Sequence, residues 1–67
     1  MEFIYVNSTD INGITINGNN LIIKFNSGTI YEYKNAACEF SNLINADSKG
    51  KYFHQNIKNQ YICNKIS

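Results

Sequence analysis

The stretch Ser48-Lys49-Gly50-Lys51-Tyr52-Phe53 sets a hydroxyl, a Gly, two ammonium groups and two aromatic rings side by side in the chain. It lies between two segments of helical spacing, so it falls at a helix start. Free backbone N–H groups, the positive end of the helix dipole and the two Lys all favour an anion at such a place. Gly50 would let a phosphate come close to the backbone. The spacing is not that of a Walker loop. The alternative is a plain helix–helix turn, with Ser48 as the cap and Lys49 and Lys51 in water. The candidate ligand-binding set is Ser48, Lys49, Gly50, Lys51, Tyr52 and His54, joined by Tyr31 and Tyr33. The last two read either as a base-stacking platform on a small sheet or as rings closing the core beneath a helix. Tyr5, Tyr52 and Tyr61 are expected to border the site from outside the sheet.

Catalytic chemistry is not expected. His54 has no Ser, Cys or carboxylate at a fixed spacing to work with, and reads as a surface or capping residue. Cys38 falls in a first helical turn, where a thiolate is favoured, but no base stands beside it in sequence. It reads as a small packed residue. Asp10, Glu32, Glu39 and Asp47 are scattered and form no carboxylate pair. Cys38, Cys63 and His54 fall short of a four-ligand zinc site, and no Cys-x-x-Cys is present. Neither a metal nor a cofactor is expected. The chain has no signal-peptide pattern and no apolar run near the ~18 residues of a membrane span. It therefore reads as cytoplasmic, with two reduced thiols, a Cys38–Cys63 disulfide being the minor alternative in that compartment.

The elements that must position these residues are few. The chain has 67 residues, 43% hydrophobic and 13% aromatic, enough for one small core and one domain over residues 1–67. Net charge is +1 and every basic residue is Lys. The missing Arg fork and the near-neutral balance argue against sequence-specific reading of long nucleic acid, though not against Lys contacts to a few phosphates. Abundant Asn and Ile, with no Pro or Trp, fit an AT-rich coding source, bacterial or phage.

Phe3–Val6 reads as a short edge strand, and Ile14 and Ile16 alternate across Thr15 in a second. Asn17-Gly18 is the strongest hairpin signal, extended by Asn19-Asn20. Leu21 to Asn26 and Thr29 to Lys34 then form a hairpin. A two-residue Ser27-Gly28 loop would put both Tyr opposite Ile22 and Lys24. A three-residue loop with left-handed Gly28 pairs Ile23 with Tyr31 and Leu21 with Tyr33. The second register is preferred, because it keeps Glu32 off the Leu21, Ile23, Phe25 face. From Asn35, the expected cap, Ala36, Ala37, Phe40, Leu43 and Ile44 recur at helical spacing. Gly50 would end this helix near Asp47, and a shorter helix carrying Tyr52 or Phe53, Ile57 and Tyr61 follows. Ile62 to Ile66 forms a last strand or packs along the sheet.

With these elements placed, the chain resembles the KTSC domain, a small module found alone and at the C-terminus of some lysyl-tRNA synthetases. The resemblance runs through Ser8 and Ile11, then Leu21, Ile23, Phe25 and Ser27-Gly28. The central Tyr31-Glu32-Tyr33 matches the family's Tyr-x-Tyr. Leu43, Ala46, Ser48, Gly50, Tyr52-Phe53 and Ile57 carry it through the second half. Ala36-Ala37 stands where the family often has Val-Pro, and His54 where it commonly has Asn. The resemblance implies no assigned activity; RNA binding is what has been suggested for such domains.

The expected fold is α+β: a small antiparallel β-meander of three to four strands, followed by two short helices packed on one face. The expected function is a non-catalytic module for a phosphate-bearing ligand, RNA or a nucleotide. The alternative is a protein–protein interaction module, such as a small phage-encoded inhibitor of a host protein. No membrane partner is expected. Ile22 and Ile30 on the outer sheet face, together with the small core, suggest a homodimer or higher oligomer.

Overall fold

The computed structural model describes residues 2–67. One antiparallel sheet runs in sequence order through β1 (Ile4–Tyr5), β2 (Ile11–Asn17), β3 (Asn20–Phe25), β4 (Ile30–Tyr33) and β5 (Cys63–Lys65). A 3₁₀ turn (Ala37–Glu39), helix α1 (Phe40–Asn45) and helix α2 (Lys49–Asn56) lie in the chain between β4 and β5. The fold is α+β as expected, but it has five strands rather than three or four, and the fifth follows the helices. Three residues of β5 give too short a run for periodicity to identify a strand; pairing with β4 makes it one.

Ile11 and Ile14 are three apart, so a regular strand would turn them to opposite faces. Both are fully buried in the same cluster. A bulge between Ile11 and Gly13 resolves this, pairing Ile11 with Phe25 and Ile14 with Ile23. One extra residue on the bulged strand shifts the alternation and turns both Ile inward. A Cβ on Gly13 would stand 3.0 Å from Cβ of Phe3, so the side chain of Phe3 occupies the space Gly13 leaves open.

The β2–β3 turn is tighter than expected. Asn17 pairs with Asn20, which leaves Gly18-Asn19 as the two central residues. Gly18 has φ +62° and Asn19 is not left-handed, the pattern of a II′ turn. The β3–β4 hairpin has the preferred register, with Leu21 opposite Tyr33 and Ile23 opposite Tyr31. Gly28 is left-handed at φ +95°, and Phe25 N–H donates to the Thr29 carbonyl at 2.8 Å.

Asn35 does not cap a helix. It is itself left-handed, and its N–H donates to Asn20 Oδ1 at 3.0 Å. The helix begins one residue later than that cap implies, as 3₁₀ at Ala37, with no side-chain cap. Gly50 does not end α1; it sits in the first turn of α2, where Ser48 is the cap and its Oγ accepts from Lys51 N–H at 3.4 Å.

The core lies between one sheet face and the helices. It joins Ile11, Ile14, Leu21, Ile23 and Tyr33 to Ala36, Leu43, Phe53 and Ile57. Ile22 is outside that cluster, on the opposite face, yet is fully buried. It sits at the middle of the central strand, opposite Thr15 on one side and Glu32 on the other. Ile30 is half-buried. The outer-face apolar patch expected from this pair is therefore not there. Among the described residues, the exposed large apolar side chains are Ile4, Tyr5, Ile16, Ile62 and Ile66. Among the described residues, no helix is long and apolar enough to cross a membrane.

Candidate functional site

The bulge that buries Ile11 also fixes the loop before it. Ser8 Oγ accepts from the N–H groups of Asp10 and Ile11, each at 3.3 Å. Asn26 N–H donates to the Asp10 carbonyl at 2.9 Å, and Asn26 Nδ2 to the Ser8 carbonyl at 2.8 Å. The loop before β2 is thus tied to the β3–β4 turn. A cleft of about 640 Å³ opens between these two loops, the end of α2 and the start of β5. That size suits a nucleotide-sized ligand, within the usual range of about 300–1,000 Å³.

Aromatic rings form the floor. Phe25 and Phe53 meet edge to face at 5.3 Å, Phe53 and Tyr33 at 5.7 Å, and Phe25 and Tyr31 at 6.0 Å. Tyr33 is only 5% exposed and belongs to the core, whereas Tyr31 is half-buried and turned to the cleft. The two readings of the tyrosine pair thus divide between its members. Asp10, His54, Lys58, Asn59 and Cys63 stand around the rim with Ser27 and Thr29. His54, in the last turn of α2, and Lys58, just beyond it, are both exposed.

Of the residues selected from sequence, the structure brings Tyr31, Tyr33 and His54 into this cleft and leaves Ser48, Lys49, Lys51 and Tyr52 outside its lining. Lys49 Nζ donates to the Ala46 carbonyl at 3.1 Å, just past the end of α1. Lys51 is exposed. Gly50 is buried: a Cβ there would come within 2.8 Å of Asp10 Oδ2. The close approach that Gly50 permits is therefore made by the chain's own carboxylate, which sits at the positive end of α2. Asp10, Phe25 and Lys58 were not among the selected residues. The hairpin register already placed Phe25 beside Tyr31 and so signalled it; nothing local signalled Asp10 or Lys58.

Tyr52 and Tyr61 belong to a different cluster. Tyr52 Oη donates to Glu39 Oε1 at 2.5 Å and Tyr61 Oη to Glu39 Oε2 at 2.7 Å. Cys38 is exposed rather than packed, with Sγ 3.8 Å from Tyr61 Oη. Tyr5 lies on β1, exposed, away from both. Both cysteines are free. Among the described residues, no group of three His, Cys, Asp or Glu could hold a metal.

Hydrogen bonding to the Glu39 carboxylate pushes the phenols of Tyr52 and Tyr61 upward, with Cys38 adding to the effect at Tyr61. Burial, then the nearness of Cys63 and Tyr31, pushes Tyr33 upward. Each of these groups is more easily kept neutral in the folded chain than in the unfolded one. The stability they add is complete below the unfolded value of about 10 and drains away as pH climbs from there through the higher folded values. The melting temperature is expected to hold up to about pH 10 and then fall. Phenolate absorbance of these three tyrosines should rise together with the loss of near-UV dichroism. Phenolate formation by all of them in a chain whose tertiary signal stays intact would contradict the assignment.

Comparison with known proteins agrees with this layout. The KTSC domain profile matches residues 7–61, which include both loops, the Tyr-x-Tyr and α2. A lysine–tRNA ligase from Nostoc sp. is 46% identical over 48 residues, 70% of this chain but only 9% of that enzyme. The crystal structure of a KTSC domain protein from Yersinia pestis superposes with a TM-score of 0.91 at 30% identity, covering 98% of this chain and 97% of the other. With a profile that spans most of its length and a solved KTSC protein that matches it nearly end to end, this chain belongs to the KTSC domain family.

Proposed function

We propose that this domain is a non-catalytic binding module for a phosphate-bearing ligand, RNA or a nucleotide, seated in the cleft beside Tyr31. The observation that carries the reading is an open aromatic cleft with a half-exposed Tyr31, hydroxyl and amide groups around it, and His54 and Lys58 at one end. A base stacks on the rings, and the phosphate meets Lys58 and His54. The near-neutral charge and the lack of Arg favour one or a few nucleotides over a duplex, whose phosphate rows call for a strongly basic face. The relationship to part of a lysine–tRNA ligase supports an RNA ligand. The helix start at Ser48–Lys51 already holds the Asp10 carboxylate at its positive end, which favours the cleft over the helix start as the seat of the ligand.

The test is a titration of ribonucleotides and short single-stranded RNA against the wild type, Lys58→Ala and the double variant Lys49→Ala, Lys51→Ala. Lys58→Ala is expected to weaken binding and to reduce the salt slope by about 0.7–0.9, the loss of one phosphate contact. The double variant should bind as the wild type does. If Lys49 and Lys51 carry the salt dependence and Lys58 does not, the ligand sits at the helix start and the cleft reading is wrong.

A further inference from the structure

β5 ends the strand order, and the side of it away from β4 has no strand beside it among the described residues. Its backbone bonding alternates. The Ile62 carbonyl accepts from Lys34 N–H and Ile66 N–H donates to the Ile30 carbonyl, at 2.8 Å each. The groups that turn toward β4 are thus those of Ile62 and Asn64 and the N–H of Ile66, beyond which Ile30 N–H donates to the Ser67 carbonyl at 2.9 Å, and the N–H and C=O of Cys63 and Lys65 turn to the open edge. Side chains alternate too. Cys63 and Lys65 pair with Tyr33 and Tyr31 and share the cleft face, so Ile62, Asn64 and Ile66 share the other. Ile62 is 73% and Ile66 45% exposed. An unpaired edge flanked by two exposed Ile is a template for another strand.

We propose that the occupant of this edge is the β5 of a second copy, running antiparallel about a two-fold axis at Asn64. The segment is self-complementary in that register. Ile62 lies opposite the partner's Ile66, and Ile66 opposite the partner's Ile62, so both exposed apolar side chains find an apolar neighbour. Cys63 lies opposite the partner's Lys65, and no like charges face each other. The outward backbone groups of Cys63 and Lys65 are those that a hydrogen-bonded pair of these two residues requires. A contact of this kind is isologous and closes at two chains. The short strand and its Lys protect the edge from indiscriminate pairing, yet fit this one arrangement.

The pairing adds to the cleft. Cys63 lines it, so the partner's Lys65 stands next to the rim and adds a cation to the one that Lys58 supplies. This last step rests on the phosphate-ligand reading above; the pairing itself does not.

Sedimentation velocity across low to high micromolar concentration, without ligand, tests the pairing. The wild type is expected to dimerise. The variant Ile62→Lys, Ile66→Lys sets Lys against Lys across the axis twice and should be monomeric throughout. The variant Ile62→Lys, Ile66→Glu sets Lys against Glu and should recover the dimer. Asn64→Cys, in a chain with Cys38→Ser and Cys63→Ser, should cross-link on mild oxidation, because the non-hydrogen-bonded central pair lies at about 4.5 Å between Cα atoms. A wild type that stays monomeric, a Lys/Lys variant that still dimerises, or a Lys/Glu variant no better than Lys/Lys overturns the proposal. Circular dichroism of each variant confirms folding, since both Ile are exposed. Nucleotide titration then separates the two readings. A dimer without nucleotide affinity keeps the pairing and removes the ligand; weaker nucleotide binding by the folded Lys/Lys monomer than by the Lys/Glu dimer supports the partner's Lys65 at the rim.

Discussion

Phe53→Ala is expected to leave the domain largely unfolded at room temperature. Phe53 is 6% exposed and joins the helix layer to the sheet, with Phe25 at 5.3 Å, Tyr33 at 5.7 Å and His54 at 5.4 Å. Removing a buried Phe costs about 3–5 kcal/mol, because the lost transfer energy is compounded by a cavity the surroundings only partly fill. A chain this short buries a smaller fraction of its surface than larger domains do, and its stability belongs at the low end of about 5–15 kcal/mol. The loss is therefore comparable to the whole. Phe53→Leu keeps most of the volume and should cost under about 1.5 kcal/mol. Phe40 is the useful contrast. Helical spacing marks it as a core residue of the same weight, but it is only half-buried, so Phe40→Ala should cost clearly less. Urea unfolding followed by circular dichroism measures all three. A Phe40→Ala loss equal to that of Phe53→Ala would show that the burial order is wrong.

The second large effect is on binding. Tyr31→Ala is expected to weaken nucleotide or single-stranded RNA binding by about 1–3 kcal/mol, roughly fivefold to 150-fold, the range for removing one stacked base. Tyr31→Phe keeps the ring and should bind within about threefold of wild type if stacking is the main contact. Tyr33, its partner in the Tyr-x-Tyr, is unsuitable for this test: at 5% exposed it belongs to the core, and its truncation would report on folding. Tyr31 is half-buried, so the Ala variant should stay folded, and its dichroism spectrum checks that. Equal affinity of folded Tyr31→Ala and wild type would show that no base rests on this ring. Equal loss in Tyr31→Phe and Tyr31→Ala would make the hydroxyl, not the ring, the contact.

The tyrosine pair also shows how far sequence reasoning reaches. The hairpin register was legible because a single charged residue, Glu32, had to be kept off an apolar face, and only the looser turn with left-handed Gly28 does so. From that register Phe25, Tyr31 and Tyr33 follow as one aromatic face. Whether each ring is covered was not legible, since that depends on where α2 ends and how far its Phe53 reaches. The helix start was legible for the same kind of local reason: Ser48 is followed three residues later by an N–H that needs an acceptor. What stands opposite that helix start was not. Gly50 reads equally well as a helix terminator, a phosphate cradle or a close packing point, and it is the last because Asp10, forty residues away in sequence, lies against it.

By itself, then, the sequence determined what short-range physics controls: strands where apolar residues alternate, turns where Gly accepts positive φ, and a helix capped by Ser48. The tertiary structure alone decided three things. It made a strand of Cys63–Lys65, because three residues gain strand geometry only from the neighbour they pair with. It turned Ile11 and Ile14 to one face through a bulge that the alternation rule does not foresee. And it assembled the cleft from two loops, a helix end and a strand start, whose side chains share no sequence period, because cavities arise from how elements pack and not from the order in which they occur.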